Sequence, residues 1–155
     1  MGTIMVNRCV IKLGSRILVP DDRLDEGFLG DLASQVRSAL DANTEIIIVT
    51  SGAIACGVKA LKLTKPTMDI HLKQAMAAVG QIRLMEAYQR VFAASEIPVA
   101  QILLTHADLQ NRKRFLSARH TINGLLKMGI VPLINENDSD ASEEIKVGDN
   151  DNLAG

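Results

Sequence analysis

Short β-rich runs alternate with longer stretches of helical periodicity along the chain. Residues 9–13 (CVIKL) read as a strand, ended by Gly14-Ser15. Residues 24–40 carry Leu24, Phe28, Leu29, Leu32, Val36 and Leu40, mostly at helical spacing. Residues 45–50 (EIIIVT) form a continuous β-branched run, the composition of a strand buried on both faces. Ser51-Gly52 punctuates it, and residues 53–61 read as a helix. Residues 62–69 contain Pro66 and read as a loop, and a long helix rich in Ala, Met and Leu follows over 72–94, with Gly80 inside it. Pro98 breaks the pattern before another buried strand at 99–104. Thr105 and Asp108 offer N-caps, and residues 112–128 form a helix closed by Gly129. The run 130–134 (IVPLI) is the next strand, and Pro132 assigns it to a sheet edge or a bulge, because proline has no N–H for a ladder. Residues 135–144 are polar and acidic, and 145–147 read as a short strand before Gly148-Asp149-Asn150-Asp151.

Regular alternation of this kind predicts an α/β fold: a mainly parallel sheet flanked by helices in three layers. Ligands of such sheets collect beyond the carboxyl ends of the strands. That rule selects Gly14-Ser15, Ser51-Gly52, Thr105-His106, residues 135–138 and residues 148–151, with Lys12 close to the same edge.

Composition narrows the classes of function. The 155 residues include 17 Lys+Arg and 18 Asp+Glu, a formal net charge of −1, which argues against a broad nucleic-acid-binding face. Aromatic residues make up 3% with no Trp, too few for base-stacking platforms. No run approaches the roughly 18 apolar residues of a membrane span, and residues 1–8 lack the apolar core of a secretory signal. The expectation is a cytoplasmic protein with no membrane or nucleic-acid partner. Cys9 and Cys56, with no CxxC, read as small core residues rather than as a disulfide framework or a zinc site.

Several polar groups stand out against this background. Lys12 lies in an apolar strand, where an unpartnered ammonium costs several kcal/mol. It reads either as a cation held at a phosphate or carboxylate site, or as an edge-strand lysine whose tip reaches water. At Ser51-Gly52, a buried strand passes into a helix; the glycine lets backbone approach a ligand, the helix start favours an anion, and Ser51 either caps the helix or binds the ligand. The Gly52-x4-Gly57 spacing is not a P-loop, since Val58-Lys59 follows where Lys-Ser/Thr is required. Asn135-Glu136-Asn137-Asp138 offers both donors and acceptors, as recognition of an amino acid requires, or forms a polar turn. Residues 136–151 hold seven acids and one Lys, a density that suits Mg²⁺, the orientation of a lysine, or a solvated loop. Arg112, Lys113, Arg114 and Arg119 read as a solvated helix face or as partners of that loop. His71, His106 and His120 lack metal-ligand spacing.

These runs resemble the amino-acid kinase family, and within it the branch that phosphorylates glutamate. The matching segments are Val10-Ile11-Lys12-Leu13-Gly14-Ser15, Ile48-Val49-Thr50-Ser51-Gly52-Ala53, Ala77-Ala78-Val79-Gly80-Gln81, Gln101-Ile102-Leu103-Leu104-Thr105, Val131-Pro132-Leu133-Ile134-Asn135-Glu136-Asn137-Asp138, and Lys146-Val147-Gly148-Asp149-Asn150-Asp151-Asn152. NEND together with GDND makes the match specific. The resemblance implies transfer of the γ-phosphoryl group of ATP to the side-chain carboxylate of L-glutamate, giving glutamyl 5-phosphate, the first step toward proline. It implies that Lys12 contacts the transferring phosphoryl group of ATP and that Asp151 is the catalytic aspartate orienting lysines there. It places backbone N–H groups of Gly14 and Gly52 near that phosphate. Ser51, Asp138 and Asn150 would bind glutamate, with Asp138 at the α-ammonium. Mg²⁺ enters with the nucleotide, not through a metal site of the chain. Proline is the implied feedback inhibitor at or near the same pocket, and a homo-oligomer is implied.

The whole of residues 1–155 corresponds to the N-terminal, acceptor-binding part of the family's domain. The nucleotide-binding half, and the RNA-modification-type C-terminal domain of many members, lie outside the match. The 155-residue chain alone is therefore expected to show little or no kinase activity and to expose an apolar sheet edge. Two alternatives stand beside this reading: a non-catalytic glutamate- or proline-binding module, and a family relative with a different acceptor such as aspartate, acetylglutamate, carbamate or a nucleoside monophosphate.

Overall fold

A computed structural model describes residues 7–63 and 69–140. Within them lie strands β1 (Arg8–Lys12), β2 (Glu45–Val49), β3 (Val99–Leu104) and β4 (Val131–Glu136). The helices are α1 (Ser15–Leu18), α2 (Glu26–Asp41), α3 (Ala53–Ala60), α4 (Ile70–Ala93), α5 (His106–Gln110) and α6 (Arg112–Lys127), with short 3₁₀ turns at Pro20–Asp22 and Asp138–Asp140. The expected strand at 145–147 and most of the expected loop at 62–69 lie outside the described residues.

All pairings are parallel, in the order β1-β2-β4-β3. The order dictates the layers. The crossovers β1→β2 and β2→β3 advance in the same direction across the sheet, whereas β3→β4 runs back. Right-handed crossovers therefore put α2 and α4 on one face and α6 on the other. The cores agree. Ile46, Ile48, Val131 and Leu133 pack with Leu29, Leu32 and Val36 of α2 and with Leu84, Tyr88 and Phe92 of α4. Ile47, Val49 and Ile134 pack with Leu126 of α6, joined by Ile122 and Ala118. The three-layer expectation is met among the described residues. Cys56 is buried and Cys9 half-buried against the first core, both as free thiols. Val10 stands 43% exposed on edge strand β1, and among the described residues no side chain of β1 joins the second core.

The expected position of the fourth strand is corrected. Far from being an edge or a bulge, β4 lies between β2 and β3, all six of its residues are buried, and it continues through Asn135 and Glu136. Backbone parity explains how Pro132 is tolerated. Val131 N donates to Pro98 O and Asn137 N to Leu104 O, so odd-numbered positions of β4 bond to β3. Pro132 therefore turns its nitrogen toward β2, where pairing begins only at Ile48↔Leu133. The missing donor falls at a level with no ladder to break.

Side-chain caps set the helix starts. Asp25 accepts from Phe28 N, Asp69 from Leu72 N, and Asn111 from Lys113 N and Arg114 N. Thr105, one of the two expected N-caps, caps α5, a short helix not expected there, and Asp108 is the third residue of that helix and closes a reciprocal capping box with it.

Candidate functional site at the strand tips

The carboxyl ends of β1 and β2 form one lip of the site. Leu13 N donates to Val49 O at 2.8 Å, and the Ser51 hydroxyl donates to Leu13 O at 2.9 Å. Its proton thus committed, Ser51 Oγ is left with acceptor lone pairs. Gly52 has φ +100°, a left-handed conformation, and a Cβ there would lie 3.1 Å from Val19 Cγ2. It opens α3, whose first turn has no acidic residue and no side-chain cap, so its N–H groups suit an anion. Gly14 opens α1 with no atom within 4 Å of where a Cβ would stand. Lys12 is exposed at the last position of β1.

The other lip is the tip of β4, stitched to β2 by Thr50 N donating to Ile134 O at 2.8 Å. Asn135, Glu136 and Asp138 are all buried here. Asn135 Oδ1 accepts from Glu136 N at 2.9 Å while Asn135 Nδ2 donates to Gln81 Oε1 at 2.8 Å. Asp138 Oδ1 is buried with no hydrogen-bond partner among the described residues. Burial, and then the neighbouring Glu136 carboxylate, push the Asp138 carboxyl up to about 6. Glu136, Asn137 and Asp138 line a cleft of about 240 Å³ whose opposite walls are Gln81 of α4 and Gln101 of β3.

Behind both lips, the Tyr88 hydroxyl meets Thr50 Oγ1 at 2.9 Å, with both residues fully buried. The buried ring stacks at a tilt on Phe92, and burial holds the phenol well above its ordinary range.

Five of the expected residues therefore gather at one edge of the sheet: Lys12, Gly14, Ser51, Gly52 and Asp138. Asn150 and Asp151 lie outside the described residues. Thr105 and His106 follow a strand tip but are engaged locally, Thr105 in its capping box and His106 Nε2 with Gln110 Nε2 at 2.9 Å. Arg112, Lys113 and Arg119 are exposed on α6, and Arg114 reaches Asp108 at 3.4 Å. The capping hydrogen bonds from Thr105, together with Arg114, hold the Asp108 carboxyl below its ordinary value. Gln81, Gln101 and Tyr88 were given no role by sequence reading. Their partners lie 54, 20 and 38 positions away, and no local pattern encodes such pairings.

The parallel α/β/α fold thus presents an anion-suited lip and a buried carboxylate on one rim. The amino acid kinase family matches residues 7–155, and the chain belongs to that family. Among curated relatives, glutamate 5-kinase of Geobacter sp. (strain M21) is 50% identical over 150 residues, 96% of this chain and 40% of its own length. The glutamate 5-kinases of Pelobacter propionicus and Thermotoga maritima are 47% and 45% identical, over 96% and 97% of this chain. The chain thus spans about two fifths of the length of these relatives, 40% to 42%.

Proposed function

We propose that the chain is the acceptor-binding part of an ATP-dependent kinase that converts L-glutamate to glutamyl 5-phosphate, the first step toward proline. The observation that carries this reading is the polarity of the strand tips. One lip offers helix N–H groups to anions, with Lys12 at the same edge, and the other offers the buried Asp138 carboxylate, whose Oδ1 has no hydrogen-bond partner among the described residues. An amino acid with an ammonium at one end and a nucleophilic carboxylate at the other matches both. The glutamate 5-kinase name of these relatives supports glutamate over the other acceptors of the family.

In the reaction, a side-chain carboxylate oxygen of glutamate forms a bond to the γ-phosphorus of ATP. The bond from that phosphorus to the β,γ-bridging oxygen breaks, and ADP leaves. A carboxylate is ionised at neutral pH, so no general base is needed. The barrier lies in bringing two anions together, which positioning and positive charge must lower. Lys12 offsets charge on the phosphoryl group, and the N–H groups at Gly14 and Gly52 cradle it. Asp138 holds the α-ammonium, Ser51 and Asn150 complete the glutamate contacts, and Asp151 orients lysines. ATP is a substrate, and Mg²⁺ arrives with it. Among the described residues, no three His, Cys, Asp or Glu side chains converge to hold a metal, and no helix is long and apolar enough to cross a membrane. Proline as a feedback inhibitor at the glutamate pocket, a homo-oligomeric state and a cytoplasmic location belong to the same proposal.

Hydroxylamine trapping tests the reaction. The full-length product of the gene, given ATP, is expected to form an acyl hydroxamate from L-glutamate, and far less from aspartate or acetylglutamate. Preference for another acceptor, or trapping independent of ATP, contradicts the reading.

A further inference from the structure

We infer that Gln81 of α4 is a positioning residue for the acceptor pocket, a role that rests on the glutamate-binding reading above. Three amide links run in one direction. Glu136 N–H donates to Asn135 Oδ1 at 2.9 Å, Asn135 Nδ2 to Gln81 Oε1 at 2.8 Å, and Gln81 Nε2 to Gln101 Oε1 at 3.1 Å. Each link fixes the next. The backbone N–H of Glu136 requires the oxygen of Asn135 on its side, so the Asn135 amide must point its nitrogen at α4. There only an acceptor can meet it, and Gln101 keeps the oxygen of Gln81 in that position. The chain of bonds ends two residues before Asp138, whose buried Oδ1 has no hydrogen-bond partner among the described residues.

The residue before it ties α4 to the opposite lip. A Cβ on Gly80 would stand 1.7 Å from Ala53 O and 2.4 Å from Gly57 N, so α4 touches the backbone of α3 there. Ala53 directly follows Ser51-Gly52. Two consecutive residues of one rigid helix therefore reach both lips, Gly80 through α3 and Gln81 through β4. Their spacing sets the separation between the anion-suited lip and Asp138.

The test uses the full-length product of the gene with Gln81→Met, which is close in shape but has neither amide group, Gln101→Met, which removes only the outer anchor, and Gln81→Glu, which keeps the acceptor for Asn135. Gln81→Met is expected to raise KM for L-glutamate about tenfold, with kcat moving less than threefold. Gln101→Met should raise KM two- to threefold, and Gln81→Glu should stay within about threefold of wild type. An unchanged KM in Gln81→Met, or a loss confined to kcat, overturns the inference. Native-state hydrogen exchange gives a second readout that needs no activity: in Gln81→Met the Glu136 amide should exchange about tenfold faster while the Thr50 amide is unaffected. Unchanged exchange at Glu136 overturns the positioning role even in active enzyme. A wild-type protein that makes no glutamyl phosphate overturns the functional reading instead, and the exchange measurement still decides the role of Gln81.

Discussion

Asp138 holds the largest unresolved electrostatic tension among the described residues, since its buried oxygen has no partner and Glu136 lies close by. Its carboxyl titrates near 6 in the folded chain, above its ordinary value, so the native state binds its proton more tightly than the unfolded state does. The associated stability is present at low pH and is lost as pH rises through about 6. Asp138→Asn should therefore stabilise the ligand-free protein at neutral pH by up to about 3 kcal/mol, and the gain should vanish near pH 4. Urea unfolding at the two pH values checks both the sign and the window. An ammonium ligand beside Asp138 reverses the tension, so binding at about pH 5.5 should release up to one proton. Tyr88→Phe acts on the neighbouring lip. It removes one hydrogen-bond partner of fully buried Thr50 Oγ1 and should cost about 1 kcal/mol in the same unfolding experiment. The NEND run announced Asp138 as a polar group after a strand, but not its burial or its missing partner, which depend on how α4 and β3 close over it.

Between elements, the contact that matters most is the crossing of α3 and α4. A Cβ on Gly57 would lie 1.9 Å from Met76 O, and one on Gly80 1.7 Å from Ala53 O. The two helices therefore approach backbone to backbone, and the obstacle facing an added methyl is a carbonyl that cannot turn away. Gly80→Ala should cost about 3 kcal/mol or more and lower the thermal midpoint by several degrees, whereas Gly124→Ala, where nothing lies within 4 Å, should be neutral or slightly stabilising. Equal effects of the two substitutions would argue against the close crossing. Sequence reading located α2, α4 and α6 to within a few residues, α2 from apolar positions at helical spacing, α4 from a long run rich in Ala, Met and Leu, and α6 from its closing Gly129, and β3 matched its expected span of Val99–Leu104. It missed α1, with four residues, and α5, with five, which are shorter than the repeat that would reveal them. Pro132 misled for a different reason. The proline rule concerns which neighbour needs the N–H, and that depends on strand parity and on where β2 begins to pair.

For the molecule as a whole, one topological fact generates the site. Among the described residues, four parallel strands end on the same edge, so residues far apart in sequence share a rim. Strand alternation alone predicted that rim and picked out Lys12, Gly14, Ser51, Gly52 and Asp138 on it. The amide chain through Gln81 was beyond sequence reading, because a glutamine on a helix carries no sign of the strand it will meet. The central claim is that this rim holds an amino acid by both ends, with Asp138 receiving the ammonium. Calorimetric titration of the full-length protein with L-glutamate and with glutarate, which keeps both carboxylates and lacks the amine, tests it most directly. The account predicts that glutarate binds at least about 50-fold more weakly than L-glutamate and that Asp138→Asn removes the difference. Equal affinity for the two diacids, or a preference for L-glutamate that survives in Asp138→Asn, would contradict it.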